Sequence, residues 1–465
     1  MASPLLSYFE AAEQVHRFIA ARAEGNEIPH ESTVSESSPA SSPRSPIPPK
    51  PPEIVPLAAS AGRVLAAPIR ADRDQPPFDR ATRDGFACRA AEANSHQFLF
   101  LAGRIQAGQA SHGEVGAGEV WEIMTGAPVP KGADAVFMVE HADHNSNFIR
   151  LQAPRTLEPG ENFVPAGSEA RAGDLLVPPG VRMTPAQIAL AAQCGYSELA
   201  VVPQPRVAIL STGDELVSIS TTPGPSQIRN SNAPMLAALV AAAGGIPQIL
   251  PAVADREADL DAALPGAFDS DLLLVTGGIS AGRFDLVEDA LARLGARFFF
   301  GGVAIQPGKP VVFGQLPRPA GPAGPRGQGI AAQPALPFFA LPGNPISSAV
   351  TFHLFAAPLL AALGEDSSPN PRFGQARLAG EWRGKPGLTR FLPASCEFTL
   401  GTGRETGLET ELEQEAHTVR GPEVRLVHWQ GSGDLAAFAR SNCLVVIPED
   451  ANELHEGSTV QILLT

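Results

Sequence analysis

The sequence is poor in cysteine and lacks the spacings with which cysteines bind zinc. Its four cysteines are scattered over 465 residues, and no two of them form a C-x-x-C pair. Disulfide frameworks and zinc sites usually show themselves as closely spaced cysteines, so neither is expected here, and reduced thiols in a cytosol fit better. The four residues are Cys88, Cys194, Cys396 and Cys443.

Long apolar runs and a leader segment are missing as well. Nothing approaches the roughly 18 unbroken apolar residues of a membrane-spanning helix. The N-terminus also has no basic region followed by an apolar one, as a secretory signal would. We therefore expect a soluble, cytoplasmic protein that does not contact a membrane.

Positive charge is scarce, and two common nucleotide motifs are absent. The net charge is −15, whereas a nucleic-acid surface needs a clustered basic face, so no nucleic-acid partner is expected. The chain has neither G-x-G-x-x-G nor G-x-x-x-x-G-K-[ST], so neither a Rossmann dinucleotide site nor a P-loop is supported. An anionic substrate must be held by local donors.

The chain is long enough for about two to four domains, and it is rich in glycine (45) and proline (46). Residues 3–23 have helical apolar spacing, with a possible N-cap at Ser3. A capping-box pattern begins a second helix after Thr184. Residues 31–52 are Ser/Pro-rich and predict a solvated linker, and 317–334 predict a long loop.

Three regions differ in their apolar pattern. From about 97 to 152, short apolar runs alternate with turns, which predicts a small antiparallel β domain. His141 and His144 belong to this region, in a predicted hairpin turn rather than a metal site. After about residue 205, strands alternate with helices, as in a mostly parallel sheet covered on both faces. Residues 372–465 return to short strands and predict another β domain.

Several apolar runs of the α/β region end in unusual loops. They are "STGDEL" (211–216), "TGGISAGRFD" (276–285) and "LPGNPISSAVTF" (341–352). Between the last two lies "AIQPGKPVVFG" (304–314), a predicted strand–turn–strand that aims Lys309 at the same region. Ligands of open α/β sheets bind beyond the carboxyl ends of strands, and glycine loops suit oxyanions. Each loop alone would also fit a simple tight turn.

Carboxylates accompany these loops. Glu215, Asp255 and Asp285 lie near predicted strand ends, where Mg²⁺ can be shared between one or two carboxylates and substrate oxygens. The alternative is that Asp214 or Asp285 caps the next helix.

The four motifs, in this order and spacing, resemble the molybdopterin molybdenumtransferase family, the MoeA-type enzymes related to the Cnx1 and gephyrin E domains. The resemblance extends to "PPFDRATRDGFACR" (76–89), "IMTGAPVPKGADAV" (123–136), "GENFVPAGSEARAGD" (160–174) and "GSGDLAAFARSNCLVVIPE" (431–449). It covers nearly the whole chain except residues 24–55 and 317–336.

The resemblance implies a multidomain fold of α/β and β domains. Its centre is a MogA-like three-layer α/β domain with a mostly parallel sheet; a small β domain is inserted in an elongated N-terminal domain, and the C-terminal domain is β-barrel-like. The implied boundaries are 1–78 with 160–204 for the elongated domain (Ser/Pro-rich insert 27–53), 79–159 for the small β domain, 205–368 for the molybdopterin-binding domain and 369–465 for the C-terminal domain.

The same resemblance implies an activity. Adenylylated molybdopterin is cleaved with release of AMP, and molybdate is inserted between the dithiolene sulfurs with the help of Mg²⁺. The implied enzyme is a homodimer with transient contact to the molybdopterin adenylyltransferase. Two alternatives stay open: a non-catalytic pterin-binding scaffold, and a Mg²⁺-dependent nucleotide-diphosphate hydrolase.

Site residues follow by matching motif. The implied catalytic residues are Asp84, Thr125, Glu215, Asp255 and Asp285, with Asp285 and Glu215 also as metal contacts. Asp84 and Thr125 would act from across the dimer. The implied substrate-binding residues are Ser211, Thr212, Gly213, Thr276, Gly277, Gly278, Ser280, Lys309, Pro342, Gly343, Asn344, Pro345 and Ser432. Asp271, at the start of the strand before the glycine loop, is expected to help position that loop.

Some basic groups of the family are missing. Neutral residues stand where the family often has lysine or arginine, namely Val164, Gly302, Gln306 and Pro393. Glu169 stands where aspartate is frequent. The sequence leaves open whether Arg80, Arg229 or Arg283 replaces these groups or whether the anion binds more weakly, and whether molybdate or tungstate is preferred.

Overall fold

The computed structural model describes residues 5–24, 50–109, 113–278, 286–318, 334–397 and 421–465. The chain divides into two compact units. The first unit comprises Met1–Glu53, Gly62–Val64 and Val202–Thr465, and the second comprises Ile54–Ala61 and Leu65–Val201. The finer domain boundaries stay predictions.

Nine α-helices occur within the described ranges. They are α1 (Tyr8–Glu24), α2 (Ala90–Ala93), α3 (Pro185–Gln193), α4 (Asn232–Ala242), α5 (Glu257–Ala263), α6 (Leu286–Arg293), α7 (Pro345–Thr351), α8 (Ala357–Leu363) and α9 (Leu435–Phe438). A π-helical turn, Phe352–Ala356, joins α7 to α8.

The strands of the described ranges number 28. They are β1 (Glu53–Pro56), β2 (Ile69–Arg70), β3 (Arg80–Ala81), β4 (Gly85–Cys88), β5 (Leu99–Ile105), β6 (Glu119–Ile123), β7 (Ala135–Met138), β8 (Ala142–Asn145), β9 (Phe148–Leu151), β10 (Phe163–Val164), β11 (Leu175–Val177), β12 (Glu198–Val201), β13 (Arg206–Ser211), β14 (Leu216–Val217), β15 (Ile228–Arg229), β16 (Ile246–Ile249), β17 (Leu272–Thr276), β18 (Arg297–Gly301), β19 (Ile305–Gln306), β20 (Val312–Leu316), β21 (Leu336–Leu341), β22 (Phe373–Leu378), β23 (Trp382–Arg383), β24 (Thr389–Glu397), β25 (Glu423–Leu426), β26 (Cys443–Ile447), β27 (Glu453–Leu454) and β28 (Thr459–Leu464).

The first unit contains the predicted α/β domain. Its sheet has the order β16-β13-β17-β21-β20-β18; the first four strands are parallel, β20 is antiparallel to both of its neighbours, and β18 therefore runs in the direction of the first four. Side chains of β13 alternate between two cores: Val207 packs with α4 on one face, and Ala208 packs with α5 and α6 on the other. Both faces of the sheet are buried, so the predicted three-layer fold with a mostly parallel sheet is confirmed.

The longest apolar helical stretch belongs to this core. Among the described helices, Pro345–Leu363 alone is long and apolar enough to cross a membrane, and 72% of it is buried inside the chain. Its apolar side chains fill the space beside the parallel sheet. It is therefore a core helix of the first unit.

The C-terminal part of the first unit is a closed sheet. Strands follow the order β24-β25-β22-β28-β26, and β26 pairs back onto β24, which closes the ring. The short strand β19 adds to β24 in parallel. The predicted β-barrel-like domain is confirmed. The predicted strand–turn–strand at 304–314 is present, and its two arms join different sheets: β19 belongs to the barrel and β20 to the central sheet.

The second unit contains the predicted small β domain as a six-stranded sheet of order β7-β4-β6-β5-β9-β8. The sheet is mixed rather than antiparallel throughout, because β5 and β6 run parallel. His141 lies in a short 3₁₀ turn before β8 and His144 lies on β8, so the expectation that they lie in a hairpin turn is wrong. Helix α3 carries the expected capping box between Thr184 and Gln187.

The start of α1 differs from its prediction. The helix begins at Tyr8, and Ser7 forms the cap: the Ser7 N–H donates to Glu10 Oε2 at 2.7 Å, and the Glu10 N–H donates to Ser7 Oγ at 3.3 Å. The predicted cap, Ser3, lies outside the described residues. Ser7 is the N-cap because Glu10, three residues later, exchanges side-chain-to-backbone hydrogen bonds with it in a capping box.

Candidate functional site

Three loops meet at one edge of the central sheet. In the register of the parallel strands, Ser211 on β13 pairs with Thr276 on β17, and Thr276 pairs with Leu341 on β21. The three strands therefore end together, and the residues that follow them (212–213, 277–278 and 342–344) are neighbours. The sequence predicted this convergence, and the described loops confirm it.

Backbone approaches backbone closely in this cluster. Gly277 has φ +96°, and a Cβ placed on it would lie 2.1 Å from the carbonyl oxygen of Thr212. The Cβ position of Gly343 is 3.5 Å from the Cα of Gly277. A side chain at Gly277 would both clash and force a left-handed backbone. Glycine is required here because main-chain groups of two loops share the space.

A buried polar network ties the loops together. Asn232, at the start of α4, donates from Nδ2 to Thr276 Oγ1 at 2.9 Å and to the Gly343 carbonyl at 2.7 Å. The Thr276 hydroxyl lies 3.3 Å from the Pro342 carbonyl oxygen and 3.3 Å from Ser348 Oγ. Because buried polar groups are costly unless paired, these bonds set the positions of both loops.

Sequence reasoning missed Asn232 and Ser348. The signal for Asn232 was its place as a lone amide at the start of the apolar helix "NAPMLAALVAA". The signal for Ser348 was a hydroxyl pair inside the apolar stretch after "LPGNP".

Acidic side chains lie beside the first loop. Asp255 Oδ1 accepts a hydrogen bond of 2.5 Å from the Thr212 hydroxyl, and the Asp255 N–H donates to Asp214 Oδ1 at 3.2 Å. The exposed Glu215 carboxylate lies beside Gly213, and its Oε2 is 2.7 Å from where a Cβ on that glycine would lie. Asp214 thus serves a neighbouring loop, and the alternative that it caps the next helix is wrong.

The donor set suits Mg²⁺ only in part. No group of three or more His, Cys, Asp or Glu residues in the described ranges is placed to hold a metal ion. Mg²⁺ often takes one or two carboxylates and completes its shell with substrate oxygens and water, and Asp255 and Glu215 offer such oxygens. Ser280 and Asp285 lie outside the described residues.

The other two motifs of the first unit border the same edge. Pro345 starts α7, and the Ile346 N–H donates to the Ser432 carbonyl at 3.0 Å, so "QGSG" lies against "LPGNP". The Cβ position of Gly308 is 2.6 Å from Thr351 Cγ2, so the turn that carries the exposed Lys309 packs on α7.

Asp84 and Thr125 are neighbours in the second unit. The Thr125 N–H donates to Asp84 Oδ1 at 2.6 Å, and this bond holds the pKa of the exposed Asp84 carboxyl below its ordinary value. The carboxylate is therefore ionised at neutral pH and available to solvent.

Two further expectations have different outcomes. Asp271 lies at the opposite end of β17 from the glycine loop, where it pairs with Lys50 at 2.7 Å and accepts the Arg206 N–H, so its predicted positioning role is wrong. Of the suggested replacement cations, Arg80 pairs with Glu169 at 3.0 Å, and Arg229 donates to the Thr221 carbonyl, so both side chains already have partners. Arg283, the third suggested cation, lies outside the described residues.

Glycine loops and carboxylates at the carboxyl edge of a three-layer α/β sheet define a small-ligand-binding domain of the kind found in enzymes. Three family models match the chain: the MoeA N-terminal region with domains I and II at residues 28–195, a probable molybdopterin binding domain at 208–362, and the MoeA C-terminal region, domain IV, at 375–465. The chain belongs to the molybdopterin molybdenumtransferase family.

Named relatives agree over most of their length. The molybdopterin molybdenumtransferase of Bacillus subtilis (strain 168) is 33% identical over 423 residues, which cover 89% of each chain. Molybdopterin molybdenumtransferase 2 of Mycobacterium tuberculosis is 33% identical over 88% of this chain and 94% of that protein. The crystal structure of the molybdopterin biosynthesis moeA protein from Pyrococcus horikoshii OT3 has a TM-score of 0.69 at 24% identity, covering 99% of this chain and 100% of that one, and shows the same fold.

Proposed function

We propose that this protein is a transferase that inserts molybdenum into adenylylated molybdopterin and releases AMP. The proposal is supported by membership in the family and by relatives that carry the name molybdopterin molybdenumtransferase. The observation that carries it is the meeting of residues 212–213, 277–278 and 342–344 at one sheet edge beside Asp255. The N–H groups of Thr212, Gly213 and Gly277 already donate to backbone carbonyls. The remaining loop N–H groups are therefore the proposed donors for oxyanions, and the carboxylates are the proposed contacts of a cation.

The residues divide by chemistry. The backbone N–H groups of Gly278, Gly343 and Asn344 are the proposed donors to phosphate or molybdate oxygens, and Lys309 adds a positive charge. Glu215 and Asp285 are the proposed contacts of Mg²⁺, and Asp255 keeps the Thr212 hydroxyl oriented. When bound, Mg²⁺ would neutralise the diphosphate and position a water or molybdate oxygen against it.

We further propose a homodimer in which Asp84 and Thr125 of one subunit complete the site of the other. The support is that Asp84 is an exposed, ionised carboxylate that accepts hydrogen bonds from the backbone N–H and the side chain of Thr125. The protein is proposed to act in the cytoplasm and to receive its substrate in transient contact with the adenylyltransferase.

The test is a reaction with purified components. The protein is mixed with adenylylated molybdopterin, Mg²⁺ and molybdate, and AMP release and active molybdenum cofactor are both measured. AMP release together with metal insertion supports the proposal. AMP release that ignores molybdate would identify a diphosphate hydrolase instead, and tight pterin binding without turnover would identify a scaffold.

The metal contact is tested by substitution. Asp285→Asn should abolish AMP release while leaving pterin affinity within about an order of magnitude of wild type. The substitution removes a proposed Mg²⁺ contact and leaves the glycine loops that bind the substrate unchanged. Asp271→Asn, at the far end of β17, is the control and should leave turnover unchanged. Full turnover in Asp285→Asn would remove Asp285 from the mechanism.

A further inference from the structure

A cavity of about 460 Å³ lies in the C-terminal barrel region of the first unit, apart from the glycine loops. Its walls include Gln306, Trp382, Arg390, His428 and Trp429. The volume falls within the range of roughly 300–1,000 Å³ that small-molecule sites occupy. Gln306 belongs to the motif at 304–314 and stands where the family often has a basic residue, whereas Trp382, Arg390, His428 and Trp429 belong to no motif used above.

Arg390 is the ordered cation of the cavity. Its Nε donates to Gln306 Oε1 at 3.0 Å, its Nη1 donates to the Leu388 carbonyl at 3.1 Å, and its guanidinium lies 5.5 Å from the centre of the Trp382 ring. Among the described residues, no carboxylate forms an ion pair with Arg390 and no acceptor takes its Nη2. The group is held in place with donor capacity left over, in a chain of net charge −15.

The second arginine of the wall, Arg383, differs. Its side chain is 72% exposed, and it lies 3.7 Å from carboxylate oxygens of Glu381 and Glu453. Its charge is therefore already balanced and screened by water. An anion in the cavity would meet Arg390 as its main partner.

Two tryptophans provide flat walls. Trp382 and Trp429 are partly buried and pack on the barrel core. Rigid aromatic walls favour a planar ligand by stacking, and a guanidinium with free donors favours phosphate or another oxyanion. The two preferences together describe a planar ring that carries an oxyanion.

We propose that this cavity binds a purine nucleoside monophosphate, with the phosphate at Arg390 and the purine ring stacked on one of the two tryptophans. Gln306 pairs in register with Arg390 and stands three residues before Lys309, so the cavity adjoins the turn that carries this lysine. The inference rests on the proposed function only for its choice of ligand, since AMP is a product of that reaction.

The experiment is a binding titration without Mg²⁺ or molybdate. AMP, adenosine and inorganic phosphate are titrated by calorimetry and by tryptophan fluorescence, since the chain has three tryptophans and two line the cavity. We expect AMP to bind at least tenfold more tightly than adenosine or phosphate. Arg390→Gln should weaken AMP at least tenfold, Arg390→Lys should weaken it less, and Trp382→Phe should remove most of the fluorescence change.

The matched control is Arg425→Gln. Arg425 lies on β25 of the same barrel, is 72% exposed and does not line the cavity, so its loss should leave AMP affinity unchanged. Equal AMP affinity in wild type and in a correctly folded Arg390→Gln variant would overturn the inference. So would phosphate binding as tightly as AMP, or no AMP binding at millimolar concentration. Failure of molybdenum insertion with intact AMP binding would instead count against the proposed function alone.

Discussion

Gly277 is the position where the site tolerates least change. Its backbone is left-handed, and the space that a side chain would need is already taken by the Thr212 carbonyl oxygen. Asp84, by contrast, is exposed and free to be replaced without a packing penalty, so its charge can be tested in isolation. Substitution of Gly277 therefore tests backbone geometry, and substitution of Asp84 tests charge.

Gly277→Ala should lower the free energy of unfolding by at least about 2 kcal/mol and weaken substrate binding, because strain and a backbone clash add. Urea unfolding and substrate titration provide the measurements. Gly380→Ala is the control: its φ of +112° is also left-handed, but its Cβ position has no neighbour within 4 Å. Equal losses of unfolding free energy at both positions would mean that backbone strain, rather than the close approach of two loops, causes the destabilisation at Gly277.

Asp84→Asn should reduce turnover by roughly 100-fold or more and leave folding intact, since the amide oxygen can still accept the Thr125 N–H but carries no charge. The pKa of Asp84 lies below its ordinary value of about 3.9, so this carboxylate stays ionised between pH 5 and 8. The pH dependence of wild-type turnover in that range should therefore not arise from Asp84. Any stability that it contributes is present above that ordinary value and lost as pH falls through the folded pKa.

A matched variant is Asp74→Asn in the same unit. Asp74 is another exposed aspartate whose pKa is lowered by a backbone donor, the Ala172 N–H. It should keep wild-type turnover. If the two variants behave alike, Asp84 is a structural residue and the proposal for a site completed across the dimer loses its chemical basis.

Among the elements, α4 carries the amide that connects two loops. Asn232→Asp removes both donated hydrogen bonds and directs a carboxylate at the Gly343 carbonyl, so we expect a loss of about 2 kcal/mol and weaker substrate binding. Asn230→Asp is the control, because within the described ranges the Asn230 side chain acts only as an acceptor, from Ser211 Oγ and the Ala233 N–H. Calorimetric unfolding of both variants measures the two losses of stability. Similar losses would contradict the claim that the two bonds donated by Asn232 hold the loops.

The apolar stretch from α7 to α8 contains a partly buried histidine. Burial lowers the pKa of His353 to about 4, and its Nε2 is buried with no hydrogen-bond partner among the described residues. An unfolded histidine titrates near 6.5, so this group favours the fold above that pH, and the advantage is lost as pH falls toward 4.

The expected loss between pH 7 and pH 4.5 is on the order of 2 kcal/mol, discounted because the ring is partly exposed. His353→Phe should flatten this dependence in urea unfolding at the two pH values. His455→Gln, at a side chain that is 67% exposed, should not. A wild-type stability that is flat over this range would contradict the assignment of a buried neutral imidazole.

At the scale of the whole molecule, the dimer proposal makes a quantitative prediction. If each site combines Asp84 of one subunit with Asp255 of the other, Asp84→Asn and Asp255→Asn are each inactive alone. After the two are unfolded and refolded together, half of the dimers are mixed and each mixed dimer has one intact site, so about a quarter of wild-type activity should return. No recovery, with mixed dimers confirmed by mass, would place both residues in one subunit's site or in none.

The elements that the sequence predicted well are those with local causes. Apolar runs of β13, β17 and β21 end in glycine, so their loops could be placed at a strand edge from pattern alone. The capping box of α3 is likewise a local code. The start of α1 was missed because two serines lie near the helix start and only Ser7 has its glutamate three residues later. The separation of β19 from β20 was missed because a turn does not reveal which sheet each arm joins.

Sequence alone determined the order of apolar runs, the glycine loops and the carboxylates beside them, because these depend on backbone conformation and on neighbours close in the chain. Tertiary structure alone decided that Asn232 bridges Thr276 and Gly343, that Asp271 pairs with Lys50, and that Arg390 contacts Gln306. Each of these contacts joins residues far apart in sequence. Their partners are set by the order of strands in a sheet, which no local pattern encodes.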